Sequence, residues 1–253
     1  MLSTAIPMHD AGSALKVVLV SPRNPLNIGA AARAMSNFGF SELRLVNPYD
    51  VAFREARSAV GGSALLKNAE EFDSVAEAVA DCALVVGTTA VRNRKLDHPA
   101  KALDGHSARV IHSILQQSRV ALLFGSEKIG LTNDDFSYCH WLMTILTHSQ
   151  NISMNLGQAV AVCLYELARQ SESPMPAEKR ELPSAEQLEH IAKGLLEALH
   201  ISGYVKPGTD KMFEKKARQL ILKMNLEAYD AKLFLGMLRQ ILWKLRQSKK
   251  TSG

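Results

Sequence analysis

The sequence has few cysteines, few aromatic residues and no long apolar segment. Cys82, Cys139 and Cys163 lie far apart in the 253 residues, so neither a disulfide framework nor a zinc site is indicated. No run approaches the roughly 20 apolar residues that span a membrane. Residues 1–16 lack a basic start followed by an apolar block, so we predict a loose leader there and not a signal peptide. These absences favour a reduced, cytoplasmic, globular protein.

Common ligand-binding motifs are missing as well. The sequence has no G-x-G-x-x-G opening a helix and no G-x-x-x-x-G-K-[ST], so the usual dinucleotide and phosphate cradles are unsupported. It has no G-x-S-x-G nucleophile motif and no His, Cys or carboxylate cluster with metal spacing. We therefore predict no metal site.

The charge is unevenly distributed along the chain. Residues 1–170 carry 15 Lys and Arg against 15 Asp and Glu, whereas residues 171–253 carry 15 against 10. The net charge of +5 thus lies in the last third, which favours a polyanionic partner such as nucleic acid. The alternative is a solvated helical surface with a lysine-rich tail.

Strand-like and helix-like patterns alternate through the first two-thirds of the chain. This alternation is typical of an α/β domain with a mostly parallel sheet. Residues 171–183 are rich in proline and charge, so we predict a linker. Residues 184–253 show only helical patterns, which predicts a small all-helical C-terminal extension that begins with a Ser184–Gln187 capping box. The predicted strands are 16–21, 43–46, 83–87, 120–124 and 142–146, and the predicted helices are 27–38, 74–80, 153–169, 209–223 and 226–247.

Loops that combine small and polar residues follow four of the predicted strands. Because ligands of α/β sheets bind beyond the carboxyl ends of the strands, these loops form the candidate site. They span residues 21–33, 88–94, 125–132 and 147–157.

Three of these loops resemble the signature motifs of the SpoU/TrmH branch of the SPOUT methyltransferases. The pattern N-x-x-N-x-G-x-x-x-R is matched by Asn24, Asn27, Gly29 and Arg33. The pattern F-G-x-E-x-x-G-[LI] is matched by Phe124, Gly125, Glu127, Gly130 and Leu131. The pattern S-x-N-[LV] is matched by Ser153, Asn155 and Leu156.

The resemblance covers about residues 16–170 and implies a SPOUT trefoil-knot domain at 1–170. It also implies S-adenosylmethionine as the cofactor, RNA 2′-O-ribose methylation as the activity, and a homodimer whose subunits share active sites. The strings at 45–48, 84–90, 92–94 and 130–133 are similar to those of the subfamily that methylates cytidine or uridine at nucleotide 32 of the tRNA anticodon loop. The extension at 184–253 resembles that subfamily less closely.

The resemblance also implies roles for individual residues. Arg33 is expected to hold an RNA phosphate beside the target ribose, and Glu127 to orient Asn27 or Arg33. The implied catalytic residues are Arg33, Asn27, Glu127, Ser153 and Asn155. The implied cofactor-binding residues are Thr88, Thr89, Ala90, Gly125, Gly130, Ile145, Ile152, Ser153 and Met154. Basic residues predicted to contact RNA are Arg23, Arg92, Arg94, Lys211, Lys215 and Arg218, of which the last three share a helix face by their spacing.

Plainer interpretations of the same residues stay open. Arg33 could be a surface charge, Glu127 a turn carboxylate in water, and Ser153 and Asn155 caps of the following helix. The extension could only buttress a dimer. The alternative functions are methylation of ribosomal RNA or of another tRNA position, and RNA binding without catalysis by a protein that keeps the fold.

Overall fold

The computed structural model describes residues 11–49, 51, 53–54, 56, 64–90, 99–148, 150, 152–170, 180–206 and 208–251. The chain divides into two compact units, Met1–Glu178 and Lys179–Gly253, which are called unit 1 and unit 2 below.

Unit 1 contains a seven-stranded sheet, as far as the described residues show, and each of its strand pairings is parallel. The predicted α/β class with a mostly parallel sheet is therefore confirmed. The strands lie in the spatial order β3-β2-β1-β6-β4-β7-β5. Their bounds are β1 Leu15–Val20, β2 Glu42–Val46, β3 Glu70–Phe72, β4 Leu84–Thr88, β5 Ala100–Ala102, β6 Val120–Phe124 and β7 Trp141–Thr144.

The central strands explain why apolar runs were visible in the sequence. Every residue of β1 and β6 is buried, and Val17 pairs with Leu122 at the centre of the sheet. Strands of a parallel sheet that is covered on both faces are apolar throughout. The edge strands β3 and β5 are short and largely exposed, so they lack this pattern and were not predicted.

Helices surround the sheet of unit 1. Their bounds are α1 Ala11–Ala14, α2 Pro25–Asn37, α3 Ala64–Lys67, α4 Val75–Val79, α5 Gly105–Leu115, α6 Asn133–Phe136 and α7 Leu156–Gln170. The loose leader predicted at residues 1–16 is wrong at its end, where α1 forms. Residues 1–10 lie outside the described part of the chain. Helix α5 was not predicted, although Asp104 and Ser107 form a capping box at its start.

Helices α2 and α7 position two of the three motifs. Asn24 caps α2 by accepting a hydrogen bond from the Leu26 N–H, and Pro25 follows at a position where a helix needs no N–H donor. A Cβ atom built on Gly157 would lie 2.6 Å from the Ala30 Cβ, so the two helices meet at a glycine. This close contact fixes the start of α7 against α2.

Unit 2 is made of the helices α8 Ala185–Ile201, α9 Asp210–Lys223 and α10 Ala228–Thr251. Its core is separate from that of unit 1 and includes Leu188, Ile191, Ile221 and Leu238. The predicted Ser184–Gln187 capping box is present at the start of α8. The expected C-terminal helices are thus confirmed. None of the helices within the described ranges is long and apolar enough to cross a membrane.

Candidate active site

A pocket of about 310 Å³ lies at the carboxyl ends of β4, β6 and β7. This is where a parallel sheet offers a ligand site, and the volume is at the lower end of the roughly 300–1,000 Å³ that small-molecule sites occupy. The structure places all nine predicted cofactor-binding residues on its lining: Thr88, Thr89, Ala90, Gly125, Gly130, Ile145, Ile152, Ser153 and Met154.

The loop after β6 owes its shape to two glycines. The Gly130 N–H donates a hydrogen bond to the Ser126 carbonyl at 2.8 Å, and Gly130 has a φ of +69°, which favours glycine. A Cβ atom on Gly125 would overlap the backbone of Gly130 and Leu131. The loop can therefore close only without a side chain at Gly125, and this closure brings main-chain groups to the pocket.

A chain of hydrogen bonds joins the three motifs beside this pocket. Asn27 donates through Nδ2 to Glu127 Oε1 at 2.9 Å, and its Oδ1 accepts from Asn155 Nδ2 at 2.8 Å. Glu127 also accepts from the backbone N–H groups of Arg23 and Asn24, at 3.1 Å each. Asn27 is 9% exposed, so its amide is held from both sides. Asn27 is consequently the link between the loop after β6 and the start of α7.

These hydrogen bonds determine the protonation of Glu127. Partial desolvation raises the pKa of this carboxyl, but the donors from Asn27, Arg23 and Asn24 outweigh it, and the net pKa lies below its ordinary value. Glu127 is therefore ionised at neutral pH. A carboxylate that accepts several hydrogen bonds is suited to orienting its donors and poorly suited to removing a proton.

Asn155 caps a helix and joins the network with different atoms. Its Oδ1 accepts from the N–H groups of Gly157 and Gln158, at 3.0 and 3.3 Å, at the start of α7. Its Nδ2 is the group that reaches Asn27. The plain interpretation as a helix cap and the motif interpretation are thus compatible. Ser153 lies nearby on the pocket rim and is exposed.

Arg33 lies apart from this network on an exposed face of α2. In the ranges that the structure describes, Arg33 forms no hydrogen bond and no ion pair. The partner of Glu127 is therefore Asn27 and not Arg33. Leu26 is 78% exposed, and a Cβ atom on Gly29 would meet nothing within 4 Å. These residues and Arg33 are spaced at three, four and seven positions, so they share one helix face.

The basic residues predicted to contact RNA differ in how exposed their side chains are. The Arg23 side chain is exposed beside the network, and Lys211 is exposed on α9, where Lys215 is partly buried. Arg92 and Arg94 lie outside the described residues.

Arg218 corrects the prediction of an RNA contact. Its side chain is 7% exposed and forms ion pairs with Glu189 at 2.6 Å and Glu214 at 2.9 Å. A guanidinium that is buried between two carboxylates has no surface to offer a phosphate. Arg218 stabilises the α8–α9 contact and leaves the set of candidate RNA ligands.

Other pocket residues were not identified from the sequence. Phe124 and Leu131 belong to a matched motif, yet their role as walls was not inferred. The signal that could have found such a wall is position, because Phe124 lies at the carboxyl end of the predicted strand 120–124, where a parallel sheet binds its ligands. The lining also includes the predicted catalytic residue Glu127, and the unpredicted lining residues are Phe124, Ser126, Lys128, Ile129, Leu131, Phe136, Met143, Thr147, Leu156 and Ala159.

The described part of the chain contains no candidate metal site. No set of three or more His, Cys, Asp or Glu side chains is placed there to hold a metal ion.

The parallel sheet, the pocket at its carboxyl edge and the three joined motifs define a known class. The chain belongs to the SpoU rRNA Methylase family, whose profile matches residues 14–165. It is 35% identical over 237 residues to the tRNA (cytidine/uridine-2′-O-)-methyltransferase TrmJ of Klebsiella pneumoniae, an alignment that covers 90% of this chain and 96% of the relative. The predicted resemblance to the SpoU/TrmH branch is therefore confirmed.

Solved structures agree with this placement. The crystal structure of TrmJ from Z. mobilis ZM4 superimposes with a TM-score of 0.77 and 33% identity, over 90% of this chain and 99% of that one. The SpoU methyltransferase AviRb from Streptomyces viridochromogenes, solved in complex with AdoMet, has a TM-score of 0.50 and 22% identity, over 67% and 62% of the two chains. At that identity the likeness concerns the fold alone.

Proposed function

We propose that this protein transfers a methyl group from S-adenosylmethionine to a ribose 2′-hydroxyl of tRNA, at the cytidine or uridine at nucleotide 32 of the anticodon loop. The observation that carries the proposal is the hydrogen-bonded link between Glu127, Asn27 and Asn155 beside the pocket. Membership of the methylase family supports the chemistry. The activity named for the 35% identical relative from Klebsiella pneumoniae supports tRNA as the substrate.

The pocket fits the proposed cofactor by its chemistry. Its walls combine apolar side chains such as Met143 and Ile145 with hydroxyl groups of Thr88, Thr89 and Ser153. An adenosine joined to a charged amino acid needs both kinds of surface. When bound, S-adenosylmethionine supplies a methyl group on a sulfonium that is already a good leaving group, so no metal is required.

Within this proposal the residues of the chain align and stabilise the reacting groups. A guanidinium offers hydrogen-bond donors and no acceptor, so we assign Arg33 phosphate positioning and stabilisation of the developing alkoxide, and not proton removal. Glu127 is ionised and occupied by donors, so it orients Asn27. An RNA phosphate oxygen is left as the proposed acceptor of the hydroxyl proton. Alignment of this kind can lower a barrier by several kcal/mol.

We further propose a homodimer in which the partner subunit's Arg33 completes each site. The exposed α2 face with Leu26, Gly29 and Arg33 supports this arrangement, because nothing within the described chain accounts for a glycine in open space beside a 78% exposed leucine. The trefoil knot and the cytoplasmic location stay predictions.

Methyl transfer to a tRNA transcript tests the proposed function. Wild-type protein with labelled S-adenosylmethionine should modify nucleotide 32 in the presence of a chelator, as mapped by mass spectrometry. Arg33→Ala should lower turnover by about 100-fold or more while cofactor binding stays near the wild-type value, since loss of one charge-stabilising donor costs about that much. Arg33→Lys serves as the charge-conserving comparison.

The other outcomes discriminate between the rivals. Methylation of ribosomal RNA or of another tRNA position would contradict the proposed target nucleotide and agree with the proposed reaction. Tight tRNA binding without any transfer would favour the RNA-binding protein without catalysis. Turnover of Arg33→Ala at the wild-type rate would remove Arg33 from the mechanism.

A further inference from the structure

An aromatic pair, the exposed Tyr204 and the partly buried Phe213, lies where α8 and α9 of unit 2 meet. The rings of Tyr204 and Phe213 pack edge to face, with centroids 5.7 Å apart and an angle of 79° between their planes. The Lys216 Nζ atom lies 5.4 Å from the centroid of the Phe213 ring, a cation–π arrangement. Tyr204 is nevertheless 66% exposed. Its ring is therefore supported at one edge and open to solvent elsewhere.

The backbone that carries Tyr204 is fixed by the end of α8. Gly203 has a φ of +79°, its N–H donates to the His200 carbonyl at 3.1 Å, and the Tyr204 N–H donates to the Leu199 carbonyl at 3.0 Å. This hydrogen-bond pair is a Schellman motif. The next residue, Val205, is buried. The exposed ring is thus held in place before any ligand arrives, which reduces the entropy lost on binding.

The surroundings of this ring are positively charged. Lys206, Lys211 and Lys216 are exposed, and none of them has an ion pair within the part of the chain that the structure describes. The acidic side chains of the same stretch are Asp210, which lies 3.2 Å from His200, and Glu214, which pairs with Arg218 at 2.9 Å. Even with Asp210 counted as a full negative charge, the three lysines leave an excess of two positive charges. The uncompensated charge around Tyr204 is therefore positive.

We propose that Tyr204, Phe213 and Lys216 form a stacking site for an unpaired base of the RNA substrate. The proposal rests on the proposed RNA-modifying function and adds a contact outside the pocket. A base stacks on the exposed tyrosine ring, and the lysines meet the flanking phosphates, the combination that binds single strands. Because every base has a π face, this site holds RNA without selecting the target nucleotide.

Binding of a short oligouridylate by the full-length protein tests the stacking site. Tyr204→Leu keeps an apolar side chain against Phe213 and removes the π face, so affinity should fall by about 5- to 150-fold. Tyr204→Trp should bind about as well as the wild type. Tyr229→Leu is the matched control, because Tyr229 is 76% exposed on α10 of the same unit. A short RNA duplex should bind Tyr204→Leu and wild type equally, since its bases are not available for stacking.

The opposite results would overturn the site. These are wild-type oligouridylate affinity of Tyr204→Leu, an equal loss in Tyr229→Leu, or an equal loss with the duplex. Thermal melting checks that Tyr204→Leu is folded. If it is not, Lys216→Gln takes its place, and its log affinity should depend less steeply on log salt, by about one phosphate contact. A wild-type protein that binds no RNA would contradict the proposed function itself, whereas RNA binding unaffected by these variants contradicts only the stacking site.

Discussion

Asn27 occupies a position that requires a side chain with both a hydrogen-bond donor and an acceptor. Its amide donates to one motif and accepts from another, and only an amide offers both a donor and an acceptor at that length. An aspartate would place two carboxylates side by side, and a leucine would leave Glu127 and Asn155 each short of a partner.

Replacing Asn27 by alanine should therefore uncouple the motifs without emptying the pocket. We expect turnover to fall by about 100-fold, because a displacement of about 1 Å at a reacting centre costs that much. Cofactor affinity should change little, since Asn27 is not among the lining residues. Single-turnover methylation and calorimetric titration of the cofactor measure the two effects separately.

Asn37→Ala is the control for this change, because Asn37 is an exposed residue at the end of the same helix. Equal turnover of the two alanine variants would show that the hydrogen bonds of Asn27 do not contribute to catalysis.

Arg218 marks the limit of residue-scale prediction from sequence. Its spacing from Lys211 and Lys215 places all three on related turns of α9, yet the side toward α8 holds Glu189 and buries the guanidinium. Helical spacing predicts which residues share a face but not which neighbour that face meets.

At the scale of elements, the apolar pattern predicted the five inner strands and three of the helices of unit 1. The strand predicted at 120–124 coincides with β6, because a fully buried parallel strand is recognisable in the sequence as an unbroken apolar run. Helix α5 was not predicted, although the sequence contains both its Asp104–Ser107 capping box and apolar residues at helical spacing, Ala108, Ile111 and Leu115. Helix α7 begins at Leu156 and not at the predicted Ser153, because Asn155 supplies the cap.

The candidate site was predictable in its polar residues and not in its connections. The motif resemblance pointed to the loops, and the structure places the predicted cofactor residues on one pocket. The hydrogen-bond partners of each side chain depend on distances in the folded structure, and the spacing of residues in the sequence does not give these distances. The choice of Asn27 over Arg33 as the partner of Glu127 is an example.

The loop after β6 provides a prediction at this scale. Gly125→Ala should weaken cofactor binding by about 5- to 150-fold, because the new Cβ overlaps the backbone of Gly130 and Leu131, and strain of this kind costs about 1–3 kcal/mol. Calorimetric titration of the cofactor measures the loss.

Gly236→Ala offers the matched comparison on α10. A Cβ there meets nothing within 4 Å, so the variant should gain about 0.4–1 kcal/mol of stability and bind the cofactor unchanged. Cofactor affinity of Gly125→Ala at the wild-type level would mean that the loop does not shape the pocket.

The whole molecule consists of two units with separate cores and opposite charge balance. Unit 2 carries 15 Lys and Arg against 8 Asp and Glu, whereas unit 1 carries 15 against 17. Phosphate contacts are expected where the positive excess lies, and they make affinity sensitive to salt.

A chain that ends at Glu178 should therefore retain cofactor binding and lose tRNA affinity. We expect its log affinity for tRNA to fall less steeply with log salt than that of the full chain, because fewer counterions are released. Filter binding over a range of salt measures the slope, and sedimentation shows whether the dimer survives. If the shortened protein binds tRNA as the full chain does and only its dimer weakens, unit 2 buttresses the dimer and does not hold RNA.

The hydrogen bonds of Asn27 join residues that the ribosome synthesises at different times. Its partners Glu127 and Asn155 follow it by 100 and 128 positions in the chain. At roughly 5–20 residues per second, a ribosome needs roughly 6–26 s to add that length. At the start of this interval the first motif has been synthesised, and the two side chains that contact Asn27 have not. A chain that terminates before Asn155 carries Arg33 without this hydrogen-bonded link. Under the proposed function, methylation therefore requires that translation has passed Asn155.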